Sequence, residues 1–236
     1  MPEIWPFYRR RLPHIQPARG IFFVTFRLAG SLPQEVIVRL KEEKLRDEML
    51  IRNIKDEELC RAKLTILRKR YFGKFDEILD LAATGPLWLN DERVARMVAD
   101  AIRGHDGKNY GLITYTIMPN HVHLVFEVAR DSSRDQDQIH QFDSGSKTKH
   151  YVVTNILRLL KGATAREASK LLHLENTFWQ HESFDHLVRD EEELKRIIEY
   201  VLNNPVKAGL VKNWKDWKWT YLAGGDSSRR SKKQSK

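Results

Sequence analysis

Met118-Pro119-Asn120-His121-Val122-His123-Leu124-Val125-Phe126 is the stretch on which the reading of the fold turns. Apolar runs flank its turn, Leu112 to Ile117 and Leu124 to Val128, both rich in the β-branched and aromatic residues that suit strands. Pro119-Asn120 supplies a tight connection between them, so the pair reads as a β-hairpin. Side chains alternate along a strand, which puts His121 and His123 on one face about 6.6 Å apart, near enough to share an ion. The same spacing suits two polar residues on a solvated or hydrogen-bonded face, and by itself it leaves both readings open.

Upstream, Gly20-Ile21-Phe22-Phe23-Val24-Thr25-Phe26-Arg27-Leu28 reads as the first strand, buried on both faces near its middle. Before it, Arg9-Arg10-Arg11 is either a phosphate-contacting arm or a solvated lead-in. From Gln34 to about Tyr71 the chain lacks Pro and Gly, and Val36, Leu40, Met49, Ile54 and Leu67 fit two helices broken near Asn53 or Asp56. Gly73 to Pro86 reads as a connection with one helical turn at Phe75 to Leu81. Asn90-Asp91-Glu92 then caps a helix that runs through Val94, Met97, Val98 and Ile102 to Gly104 and packs under the sheet.

Downstream of the hairpin, residues 130–150 are polar and form a flexible loop, either a DNA-contacting lid or an insertion. Helical spacing resumes from Tyr151 to Leu172, with Lys161-Gly162-Ala163-Thr164 as a break or second start. Arg158 and Lys161 on this segment make either a backbone-phosphate surface or a solvated face. The last strand is centred on Phe184 to Val188. Asp190 caps the following helix, Glu191, Glu192 and Glu193 occupy its first turn, and Pro205 stops it. Tyr200 and Asn204 lie one turn apart on that helix and share a face. Trp214, Trp217 and Trp219 either stack bases or pack the C-terminal segment on the core.

The chain of 236 residues fits one domain, residues 1–225, with a helical insertion over 34–107 and a disordered basic tail over 226–236. Lys and Arg outnumber Asp and Glu 41 to 32, a net charge of +9 that suits a polyanionic partner. The one cysteine, Cys60, excludes an internal disulfide framework and a cysteine-rich zinc site. No signal-peptide-like stretch and no run of eighteen apolar residues occurs, so a soluble, cytoplasmic, nucleoid-associated protein with no membrane partner is expected.

Met118-Pro119-Asn120-His121-Val122-His123, then Trp179-Gln180 with Phe184-Asp185-His186 and Arg189-Asp190, then Glu199-Tyr200-Val201-Leu202-Asn203-Asn204-Pro205-Val206-Lys207-Ala208-Gly209-Leu210, together resemble the REP-associated tyrosine transposases. These belong to the HUH nucleases, named for histidine, hydrophobic residue, histidine. The resemblance covers the chain from about Arg9 to Tyr221, and Arg11-Leu12-Pro13-His14 and Gly85-Pro86-Leu87-Trp88-Leu89 resemble one branch of the family.

The resemblance implies an α+β, ferredoxin-like antiparallel sheet with helices on one face, the HUH nuclease fold. It implies that His121 and His123 bind a divalent cation, with Asn204 as a further ligand and Tyr200 as the nucleophile. Glu127, on the same strand face, is a rival ligand. Asp185, His186 and Gln180 either orient ligands or DNA or satisfy buried polar groups. Imidazole ligands favour Mn²⁺ over Mg²⁺, and activity with either is expected.

The expected partner is single-stranded or hairpin DNA, met by a monomer or a homodimer. Arg9, Arg10, Arg11, Arg158, Lys161 and Lys207 are the candidate DNA-contacting cations. The reaction implied is cleavage and rejoining of DNA through a 5′-phosphotyrosine link. The rival reading is a domesticated protein that binds hairpin DNA, or RNA, without cutting it.

Overall fold

A computed structural model of the chain describes residues 20–82, 84–128 and 152–224. Strand β1 is Gly20–Leu28, and its Phe, Val and Thr residues form the middle of the sheet. Helices α1 (Gln34–Arg52) and α2 (Glu57–Asp80) follow as a hairpin, broken at residues 53–56 as the sequence predicts, with Asp56 accepting from Leu59 N–H as the second helix's cap. Helix α3 is Glu92–Gly104, capped by Asp91. Strands β2 (Gly111–Ile117) and β3 (His121–Val128) make the predicted hairpin, closed by Met118 N–H donating to His121 O at 2.8 Å. Helix α4 (Val152–Leu172), strand β4 (Trp179–Leu187), helix α5 (Glu191–Lys207) and strand β5 (Thr220–Leu222) complete the order.

All pairings are antiparallel and the strand order is β4-β1-β3-β2-β5. The first four strands, with a helical crossover between β1 and β2 and another between β3 and β4, have ferredoxin-like topology. The alternation of β1 and β3 sorts their side chains onto two faces. Phe22, Val24, Phe26, Val122, Leu124 and Phe126 pack with Val94, Val98 and Ile102 of α3 and Val153, Ile156 and Leu160 of α4. Phe23 and Val125 pack against Val201, Tyr200 and Leu194 of α5 and Phe72 of α2. The sheet is thus covered on both faces, where the family resemblance implied one, and His121 and His123 lie on the face under α5.

Several boundaries differ from the sequence reading. Gly73 does not end α2, which runs on to Asp80 because Tyr71, Phe72, Phe75, Ile78 and Leu79 continue its packed face; a glycine there costs only about 1 kcal/mol against that burial. Gly162 does not break α4, since its buried stripe of Leu157, Leu160, Thr164 and Ala168 passes unbroken. Pro205 does not stop α5; it sits in the last turn, and Ala208 N–H to Asn204 O and Leu210 N–H to Pro205 O close the end. β4 begins earlier than expected, at Trp179, and is not the last strand, because Thr220–Leu222 pairs with Thr114–Thr116 as β5.

Two of the C-terminal tryptophans take the packing role. Trp217 Nε1 donates to Ile117 O at 2.9 Å and Trp219 packs on the core. Arg9, Arg10 and Arg11, the 130–150 loop and the 226–236 tail lie outside the described residues. Among the described residues no helix is long and apolar enough to cross a membrane.

Candidate active site

The hairpin turn places His121 and His123 at the start of β3, both fully buried. Their Nε2 atoms face each other at 3.0 Å. Asn120 accounts for the orientation of the first ring: its Nδ2 donates to Leu79 O at 3.0 Å, so its Oδ1 accepts from His121 Nδ1–H at 2.7 Å and leaves the Nε2 lone pair aimed inward. His123 Nδ1 meets Thr25 Oγ1 of β1 at 2.7 Å, and Asn204 Nδ2 approaches its Nε2 at 2.9 Å. Both imidazoles are neutral at ordinary pH. Burial pushes His121 down to about 3, helped by the Lys207 charge, and burial, His121 and Lys207 hold His123 well below the usual histidine value.

Two carboxylates close the cluster from α2, one turn apart. Asp76 Oδ1 lies 3.4 Å from His123 Nε2, and Asp80 Oδ1 lies 3.8 Å from His121 Nε2. Asp76 is fully buried, and burial and the neighbouring Asp80 raise its pKa to about 8. Asp80 is also raised by burial, although Lys207 Nζ donates to its Oδ2 at 3.0 Å. Among the described residues, Asp76 Oδ1, Asp80 Oδ1 and Asn204 Oδ1 are buried without a hydrogen-bond partner. Asp76, His121 and His123 can each offer one ligand atom within 4.8 Å of the others.

This donor set fits a divalent cation. Acceptor atoms without donors are costly to bury, and here they converge with two inward nitrogen lone pairs. Two imidazoles with a carboxylate suit Mn²⁺ and similar ions better than Mg²⁺. Asn204 presents its Nδ2 to His123 as placed; half a turn of the amide would offer Oδ1 instead.

Tyr200 stands on α5 one turn before Asn204, its ring 5.6 Å from the His123 ring and 6.1 Å from that of Phe23. It is half-buried, and it lines an open groove with Arg196, Glu199, Asn203, Asn204 and Lys207. The structure therefore brings together His121, His123, Asn204, Tyr200 and Lys207, all named from the sequence.

Other candidates fall elsewhere. Glu127 is exposed at the far end of β3, opposite Ile21. His186 Nε2 meets Glu193 Oε1 at 3.1 Å, and Gln180 donates to Glu182 at 2.5 Å. Asp185 pairs with Val24, on the face away from the histidines. Arg158 and Lys161 ride on α4, across the sheet. Arg158 is exposed, whereas Lys161 Nζ donates to His181 O at 2.9 Å and Ser183 Oγ at 3.1 Å and is pushed down to about 8 by burial. Asp76 was missed. Its signal is an acid on the apolar stripe of Phe72, Phe75 and Leu79, where a helix in water would place no charge.

No family model matches the chain. A Haemophilus influenzae protein assigned by name to the REP-associated tyrosine transposases is 27% identical over 109 residues, 46% of this chain and 56% of the relative. A second Haemophilus influenzae protein, of uncharacterised role, is 27% identical over 95 residues, 39% of this chain and 52% of its own length. The chain spans about half the length of the curated relatives it matches. A solved REP-associated tyrosine transposase bound to a REP hairpin aligns over 85% of this chain and 75% of its own, with a TM-score of 0.42 and 13% identity.

Proposed function

We propose that this chain, a relative of the REP-associated tyrosine transposases, is a metal-dependent transposase that cleaves and rejoins single-stranded DNA through Tyr200. The observation that carries this reading is the buried Asp76–His121–His123 cluster lying beside a half-buried tyrosine on the helix that also supplies Asn204.

A phosphodiester resists attack because its oxygens are negative. A divalent cation, when bound by His121, His123, Asp76 and Asn204, would supply positive charge to those oxygens. Asn120 and Thr25 fix the two imidazoles so that their Nε2 atoms stay aimed inward. Tyr200 Oη, once its proton has left, forms a bond to phosphorus as the bond to the 3′-oxygen breaks. The products are a 5′-phosphotyrosine link and a free 3′-hydroxyl. The number of phosphoester bonds is unchanged, so rejoining needs no ATP. Lys207 and Arg196 line the same groove and would offset the charge of an entering strand. Hairpin-forming DNA is the proposed substrate, and a cytoplasmic, nucleoid-associated location follows from it.

A denaturing gel tests this with labelled hairpin oligonucleotides from DNA flanking the gene, in Mn²⁺, Mg²⁺ or chelator. A metal-dependent, protease-sensitive adduct that is lost in Tyr200→Phe and His121→Ala is expected. A hairpin that shifts on a native gel, with no adduct in any metal and no change in Tyr200→Phe, would instead establish the binding protein without strand transfer.

A further inference from the structure

Arg27 stands opposite His121 in the β1–β3 ladder. Directly opposed residues of an antiparallel pair share a face, with Cβ atoms about 5 Å apart, so Arg27 projects on the histidine side. On its other flank the pairing of β1 with β4 jumps from Phe26↔Ser183 to Leu28↔Trp179. Gln180, His181 and Glu182 therefore bulge opposite Arg27. Bulges bend a strand and re-aim its side chains, and they concentrate beside functional sites. Lys161 pins this one by donating to the Gln180 and His181 carbonyls.

The charges around the bulge do not balance. Arg27 is half-buried, and among the described residues its side-chain hydrogen bond goes to Ser31 Oγ at 3.1 Å. Its electrostatic attraction is to Glu182, but Lys161 and Lys41 draw on the same carboxylate, which already accepts from Gln180. Burial lowers the guanidinium's pKa and Glu182 offsets this only in part. Desolvated cations are normally paired. Among the described residues Arg27 shares its one attracting carboxylate, Glu182, with two lysines, which leaves it short of an anion, and a planar guanidinium suits a phosphate.

We propose that Arg27 binds a backbone phosphate of single-stranded DNA beside the scissile one, holding the strand across the end of β1 so that the next phosphate meets the His121–His123 cluster. Arg27 is thereby a positioning residue, and the assignment rests on the DNA-cleavage reading above.

The test measures hairpin-DNA affinity against salt by fluorescence anisotropy, and adduct formation, for the wild type, Arg27→Gln, Arg27→Lys and the exposed control Arg52→Gln. Arg27→Gln is expected to bind roughly 10-fold more weakly near 100 mM salt and to lower the slope of log K against log salt by about 1. Arg27→Lys keeps the slope but recovers only part of the affinity, because it keeps the charge and loses the fork. Mn²⁺ affinity and Tm stay at wild-type values, and Arg52→Gln changes nothing. Unaltered affinity and slope in Arg27→Gln would overturn the proposal, as would a loss that tracks weakened Mn²⁺ binding or a lowered Tm. If the wild type forms no adduct while Arg27→Gln still lowers the slope, the phosphate contact stands and the cleavage reading fails. If the wild type binds no nucleic acid, both fail.

Discussion

Asp76 Oδ1 of α2 and His123 Nε2 of β3 lie 3.4 Å apart, and among the described residues Asp76 Oδ1 has no hydrogen-bond partner. Burial holds the histidine neutral, and burial and Asp80 raise the carboxyl to about 8, so near neutral pH the metal-free carboxyl keeps its proton and a cation bound here would displace it. This relationship makes the helical hairpin α1–α2 a contributor to the site.

Asp76→Asn is therefore expected to weaken Mn²⁺ binding by roughly 10- to 100-fold, read by calorimetric titration at pH 7.5. In EDTA the same variant is expected to melt no lower than the wild type, because the amide escapes the cost of ionising a buried acid. Wild-type Mn²⁺ affinity in Asp76→Asn would remove the carboxylate from the ligand set.

Asn120 touches no candidate nucleophile, yet it sets the His121 tautomer through Oδ1 and is itself fixed by Leu79 O. Asn120→Ala is expected to lower Mn²⁺ affinity roughly 10-fold while His121 and His123 remain in place. Circular dichroism and Tm of the metal-free variant separate this from a loss of fold.

Gly85 has φ +80, and a Cβ there would lie 2.2 Å from Gly30 O. Gly85→Ala is expected to destabilise by about 3 kcal/mol, since the backbone conformation and the close approach both exclude a side chain. Urea unfolding measures it. Gly104→Ala, at a helical position where nothing lies within 4 Å, is expected to be neutral or stabilising.

Glu193 ties the start of α5 to α2. Burial alone would raise its carboxyl, but hydrogen bonds from Lys69 and Arg189 N–H and the neighbouring His186 outweigh that and hold it down at about 2. A carboxylate whose pKa falls on folding contributes stability that is complete above its unfolded value, near 4.5, and is lost as pH drops through the folded one. The wild type is expected to exceed Glu193→Gln by on the order of 2 kcal/mol at pH 7, with the gap closing between about pH 4.5 and 2. Urea midpoints across that range would show it; a gap independent of pH would mean that shape, not charge, matters here.

The hairpin, the shared face of His121 and His123 and the Tyr200–Asn204 turn were legible because each depends on periodicity within one element. Asp76 was not. Gly73 suggested an end to α2, and an acid in a helix rich in Lys and Glu looks solvated until its neighbours Phe72, Phe75 and Leu79 are seen to face inward. Strand β5 was hidden because three residues carry too little pattern, and Thr220–Leu222 is ordered by pairing with β2. The run of α5 through Pro205 was likewise set by packing, as Val201, Leu202 and Pro205 are all buried. Glu127 shows the converse limit: alternation gave its face correctly but not its distance along the strand.

Tyr200, Asn204 and Lys207 ride on a single helix, with about 6 Å of rise between the first two. Their mutual spacing is as rigid as the helix, whereas their spacing to His121, His123 and Asp76 depends on how α5 lies on the sheet. The site is therefore joined from two rigid parts, the helix and the sheet with α2. A tilt or slide of α5 would withdraw the phenol, the amide and the ammonium from the imidazoles in one stroke, without any side chain changing its rotamer.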